Sequence, residues 1–134
     1  MIAALMYAGV CSNSGNASPR QLINVLAAAR FSASVLLDGG GIYNGLHGTL
    51  TTTGVTGGPM LVGRNTGARG GGIAAVDSGT TTMTQTAVTT NVAVLTAGGV
   101  YRQGGTMTNN NSPISGNLTN NCLGSVPAVP GCTG

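Results

Sequence analysis

Three stretches of this chain fall into one register: "GGGIYNGLHGTLTTT…LVGRNTG" from Gly39, "GGGIAAVDSGTTTMTQTAVTTNVA" from Gly70 and "AGGVYRQGGTMTNNNSPISGNLT" from Ala97. Each runs through a glycine-rich turn, a short apolar segment, a Gly-Thr run and then aliphatic-x-x-Asn. The last element is the sharpest, because Val62 and Asn65, Val88 and Asn91, and Ile114 and Asn117 recur every 26 residues. The first copy carries about five extra residues, around "GVTGG", between its threonines and Val62. A repeat this short cannot bury an apolar face alone, so it must stack on its neighbours.

Three short strand-like runs in a period near 26 residues describe one coil of a parallel β-solenoid. Each coil exposes backbone donors and acceptors along the stacking axis, and the next coil satisfies them at a spacing of about 4.8 Å. Side chains alternate in and out along each strand, so one set stacks into a narrow core. The expected inward columns are Ile42, Ile73 and Val100; Val62, Val88 and Ile114; and Leu50 and Met107 with Thr81 or Met83 between them. Gly41, Gly72 and Gly99 are expected at one corner, where glycine takes a positive φ. Asn65, Asn91 and Asn117 mark the other, where Asn tolerates the left-handed conformation and its amide can bond from coil to coil.

Composition excludes several classes of function. Charged residues make up 5% of the chain and aromatics 3%, and the five arginines are scattered. Nucleic-acid binding, which needs clustered cations and stacking aromatics, is disfavoured. The chain has no Cys-x-x-Cys pair or Cys/His cluster, so no metal site and no cofactor are expected. A disulfide between Cys122 and Cys132 fits an exported protein, which leaves Cys11 as a small buried hydrophobe. The opening "MIAALMYAGV" lacks a basic start and a convincing cleavage site, and it is too short to span a bilayer.

The tandem GGGIYN, Gly-Thr run and Val-x-x-Asn-Thr motifs resemble those of bacterial right-handed parallel β-helix repeat proteins of the pectin-lyase-like superfamily. They are also similar to the GGAI-type repeats of polymorphic outer-membrane and autotransporter surface proteins. The resemblance covers roughly residues 39–122. It implies an all-β, right-handed parallel β-helix that is secreted or surface-exposed and sometimes adhesive, with some relatives cleaving polysaccharides. Surface glycans or other surface proteins are then the implied partners.

Residues 1–38 depart from the pattern, with no threonine and many alanines. Ser18, Pro19 and Gln21 read as a capping box opening a short helix to about Arg30, with Leu22, Ile23, Leu26 and Ala29 on one face. Such a helix would cover the open end of the stack. "Val10-Cys11-Ser12-Asn13" hints at the close of a further coil. Residues 1–38 thus form an N-terminal capping or inserted segment, 39–122 the repeats and 123–134 a C-terminal cap. Three to four coils is near the minimum for a stable array, so the chain is either a short capped solenoid or a piece of a longer one.

Carbohydrate cleavage needs paired carboxylates or a strong base. Asp38 and Asp77 occupy different phases of the repeat and read as turn-formers, and His47 lies in a turn without a partner. No catalytic residue is expected. The threonines remain. Aligned on the glycines, the outward positions are Thr49, Thr51 and Thr53, then Thr80, Thr82 and Thr84, then Thr106, Thr108 and Asn110. They predict a three-by-three grid on one flat face. Threonine is a good strand former whose hydroxyls solvate an uncharged surface, which points to a structural or adhesive module, and glycan contact through such a face is left open. Two other roles compete with it: ice binding through the same array, or a remnant carbohydrate-active domain.

Overall fold

A computed structural model describes residues 22–26, 30–31 and 38–134, and the chain there is a parallel β-helix. Ahead of the first full coil, the described residues form β1 (Leu22–Leu26) and β2 (Arg30–Phe31). The first full coil holds β3 (Ile42–Gly45), β4 (Thr49–Thr53), β5 (Met60–Gly63) and β6 (Thr66–Arg69). The second holds β7 (Ile73–Val76), β8 (Thr80–Thr84), β9 (Thr86–Thr89) and β10 (Val92–Thr96). The third holds β11 (Val100–Gln103), β12 (Thr106–Asn110) and β13 (Ile114–Ser115). These stack into four sheets, β1-β4-β8-β12, β2-β5-β9-β13, β3-β7-β11 and β6-β10, and every strand pairing is parallel.

The inward columns follow the expected register. Ile42 pairs with Ile73 and Ile73 with Val100, while Val62 pairs with Val88 and Val88 with Ile114. Thr81, not Met83, sits between Leu50 and Met107. It is fully buried, and Asn44 Nδ2 donates to its hydroxyl at 2.9 Å. The five-residue insertion leaves the stack as a tight turn, in which Val55 and Gly58 exchange backbone hydrogen bonds of 3.3 and 3.1 Å. The ladder closes behind it, with Gly54 N donating to Thr84 O and Met60 N to Gln85 O.

Four expectations need correction. Each full coil of the first two has four strands, not three, because the chain after the asparagine pairs again as β6 and β10. "TGAR" carries no apolar alternation that would reveal it. At the asparagine corner the positive φ falls one residue earlier, at Arg64 (61°), Thr90 (56°) and Gly116 (65°). The Asn side chains make the ladder instead. Asn91 Oδ1 accepts from Asn65 N (3.1 Å) and Asn65 Nδ2 (2.8 Å), and Asn117 Oδ1 accepts both corresponding bonds from Asn91 at 3.0 Å. Asn121 Oδ1 ends the series by accepting from Asn117.

At the glycine corner, the positive φ belongs to the first residue of each triplet: Gly39 (71°), Gly70 (62°) and Ala97 (54°). Gly41, Gly72 and Gly99 are required for close approach. A Cβ on Gly72 would lie 2.8 Å from Gly99 O, 2.8 Å from Val88 Cγ1 and 2.9 Å from Asn91 Nδ2. The glycine column therefore lies directly against the asparagine ladder across the coil.

The fourth correction concerns the expected N-terminal helix. Leu22–Leu26 is a strand, paired in register with Thr49–Thr53. "LINVL" satisfies both helical and alternating patterns, and the free edge of β4 decides between them by supplying backbone partners. The remainder of that helix and the "Val10-Cys11-Ser12-Asn13" corner lie outside the described residues.

The tail covers the other end. Cys122 and Cys132 form a disulfide with a Cα–Cα distance of 6.4 Å, and Cys122 and Val129 join the core cluster. Arg102 fastens this cap, accepting at its carbonyl from Val126 N and donating from Nη1 to Ala128 O.

Two substitutions test the corner. Asn91→Ala removes the acceptor of Asn65 N, one of the bonds made by Asn65 Nδ2 and a bond to the carbonyl of Val62, and we expect a loss of about 3 kcal/mol in urea unfolding. Gly72→Ala should also lower the unfolding midpoint, whereas Gly58→Ala, with nothing within 4 Å of its Cβ, should perturb it far less.

Candidate functional site

The outward side of β4, β8 and β12 is the most regular surface of the molecule. Alternation sends Leu50 and Thr52, Thr81 and Met83, and Met107 into the coil, which leaves the odd or even partners outside. Thr49, Thr80 and Thr106 are register partners across the three coils. So are Thr51, Thr82 and Thr108, and so are Thr53, Thr84 and Asn110. The nine positions form a three-by-three grid, with neighbours about 4.8 Å apart between coils and about 6.8 Å apart along a strand.

The grid carries no ionisable side chain. The threonines of the first two coils are half-buried, because each is flanked on both sides, while Thr106, Thr108 and Asn110 at the end of the stack are exposed. The hydroxyls of Thr51, Thr82 and Thr108 make no hydrogen bond to another described residue, and the one bond between grid side chains runs from Asn110 Nδ2 to Thr84 Oγ1 at 3.4 Å. Beyond Thr49, Thr51 and Thr53, the next register positions belong to Leu22, Asn24 and Leu26, where the threonine pattern stops.

Charge gathers on a different side, at the β3-β7-β11 sheet. Arg69 grips Asp38 through two bonds, Nε to Oδ1 at 2.9 Å and Nη2 to Oδ2 at 2.5 Å. The guanidinium lies 4.8 Å from the centre of the Tyr101 ring and donates to its hydroxyl at 3.1 Å. The bonds to Asp38 hold the Arg69 pKa above even its ordinary high value. Asp38 is thus an ion-pair partner as well as a turn residue, and the sequence carries a signal of it: Asp38 and Arg69 each stand just before a GGG triplet, opposite charges at one repeat phase.

Asp77 sits one coil from His47, and its carbonyl accepts from His47 N at 2.7 Å. The His47 ring is exposed and makes no hydrogen bond with a described residue. No group of three or more His, Cys, Asp or Glu comes together among the described residues. Asp38 and Asp77 act on Tyr43 from opposite ends of its sheet. Burial first, and then these two carboxylates, push the phenol above its ordinary pKa, against the opposing pull of Arg69.

A folded-state pKa raised in this way favours the neutral phenol. The stability it contributes is complete below the ordinary tyrosine pKa of about 10 and is lost as pH rises through the higher folded value. In alkaline titration, the phenolate absorbance that Tyr43→Phe removes should appear later than that of free tyrosine. In Asp38→Asn it should move to lower pH, because a raising charge is gone and Arg69 is released. An unchanged titration would contradict this account.

No protein-family model matches the chain, nor does any curated protein or solved structure.

Proposed function

We propose that this chain is a non-enzymatic β-helix module of a secreted or surface-exposed protein, and that its threonine face makes adhesive contact with neutral, hydroxyl-rich glycan surfaces. The observation that carries the reading is the register-matched, uncharged grid of Thr49, Thr51, Thr53, Thr80, Thr82, Thr84, Thr106, Thr108 and Asn110. The hydroxyls of Thr51, Thr82 and Thr108, which bond to no other described residue, are free to donate and accept, and the methyl beside each offers apolar contact. Such a face suits a ligand that is itself a periodic array of hydroxyls on a carbon framework. A disulfide-closed cap supports the exported setting. The Asp38 carboxylate, held in a bidentate ion pair away from the grid, supports a non-catalytic role.

Ice binding is the second reading, and the flatness and rank-and-file order of the same threonines favour it. The two are separable. Sedimentation with insoluble cellulose and chitin should retain the wild type, and Thr82→Tyr, which raises a large side chain at the centre of the grid, should weaken retention at least about tenfold, the equivalent of roughly 1.4 kcal/mol. Unchanged retention would refute the face as the contact surface. Thermal hysteresis in the wild type, lost in Thr82→Tyr, would establish the second reading in its place.

A further inference from the structure

The insertion in the first coil is the one part of the repeat region that stacking does not need. The second coil passes from Thr84 through Gln85 to Thr86, whereas the first inserts five residues between Gly54 and Met60. Those residues form a turn closed on itself by the Val55 and Gly58 backbone bonds, and the turn stands out at the edge of the threonine face. Between it and the same corner of the next two coils lies an open groove of about 630 Å³.

The floor of the groove carries the amides of Gln85 and Asn111, successive corner residues that both adopt positive φ, 47° and 53°. Both are exposed, and neither side chain bonds to another described residue. Val55, Pro59 and Pro113 supply its aliphatic lining. No charged residue lines it. The groove is continuous with the grid, because Gln85 follows Thr84 and Asn111 follows Asn110.

We propose that this groove is a subsite for one neutral sugar ring of a glycan that lies along the threonine face. The inference rests on the glycan-contact reading given above. Each amide offers a donor group and an acceptor, which matches the dual character of sugar hydroxyls, and two amides one coil apart can engage two hydroxyls of one ring. The aliphatic walls face the ring's C–H surfaces, and the absence of charge favours neutral over acidic sugars. An extended peptide fits less well, because the backbone groups of the turn that could pair with it already bond to each other.

The repeat supplies its own control. Deleting residues 55–59 gives the first coil the spacing of the second, so the variant should keep the β-helix, as read by circular dichroism and by the unfolding transition. The probes are the methyl glycosides of glucose, galactose, mannose and N-acetylglucosamine, with galacturonate as the acidic control. At least one neutral glycoside should produce saturable shifts in the Gln85 and Asn111 side-chain amide resonances. Gln85→Ala should weaken binding about fivefold, the value of one neutral hydrogen bond, and the deletion should abolish it. No shift with any neutral glycoside, shifts that survive the deletion, or equal binding of galacturonate would overturn the subsite. The two proposals fail separately. If the deletion leaves cellulose and chitin retention intact and removes no glycoside binding, the subsite fails while the face stands. If Thr82→Tyr leaves retention intact while glycosides still shift Gln85, the face fails while the subsite stands.

Discussion

The hydrogen-bonded ladder of Asn65, Asn91, Asn117 and Asn121 sets the length of every coil. A parallel stack satisfies its backbone only if each coil returns to the same point, and the ladder makes a misfit expensive. The three repeat asparagines are buried, and each amide donates both along the stack and to a carbonyl two residues earlier in its own coil. A coil one residue too long would break both bonds to the next asparagine's buried side-chain oxygen, which is among the larger single penalties a small domain can face. Extra chain is therefore accommodated only where it can leave the stack, as at Val55–Gly58, and not inside the corner.

The glycine triplets belong to the same device. Gly72 is packed against Asn91 Nδ2 and Gly99 O, so the corner opposite the ladder cannot accept a side chain without displacing the amide. Threonine extends this logic into the core. Thr81 is bonded by Asn44, and the buried hydroxyls of Thr52 and Thr86 bond to each other at 2.9 Å. These core hydroxyls are tolerable because a neighbouring coil presents each with a partner at the stacking distance. One residue type thus serves both sides of β4 and β8, bonded within the core and displayed at the surface.

Much of this was legible in the sequence, for a physical reason. The period of 26 and the alternation of two together determine most of the register, so two inward columns and the nine grid positions could be placed from residues alone, while the choice of Thr81 over Met83 in the third column could not. What could not be read were properties set by contact between coils. Positive φ at Arg64 and Thr90 has no compositional mark, and the steric role of Gly72 exists only because Gly99 and Asn91 pack against it. Asn121 completes the ladder four residues after Asn117, off the period, because a tail and not another coil follows. The strand at Leu22–Leu26 was misread as helix because a short apolar run is ambiguous until its partner strand is known.

The distribution of charge gives the faces different capacities. Asp38, Arg69 and Tyr101 bind one another across three coils on the β3-β7-β11 side, so that surface has largely spent its strong polar groups on itself. The grid has made the opposite arrangement: its groups are individually weak, neutral and mostly unbonded to protein. Charged groups left free on a flat sheet would bind counterions and water tightly and resist desolvation. Threonines resist it less, and their regular spacing lets many small gains add over a rigid surface that loses little entropy on contact. A solenoid would suit the proposed contact, because the ladder that fixes coil length also fixes the spacing of everything displayed outside it.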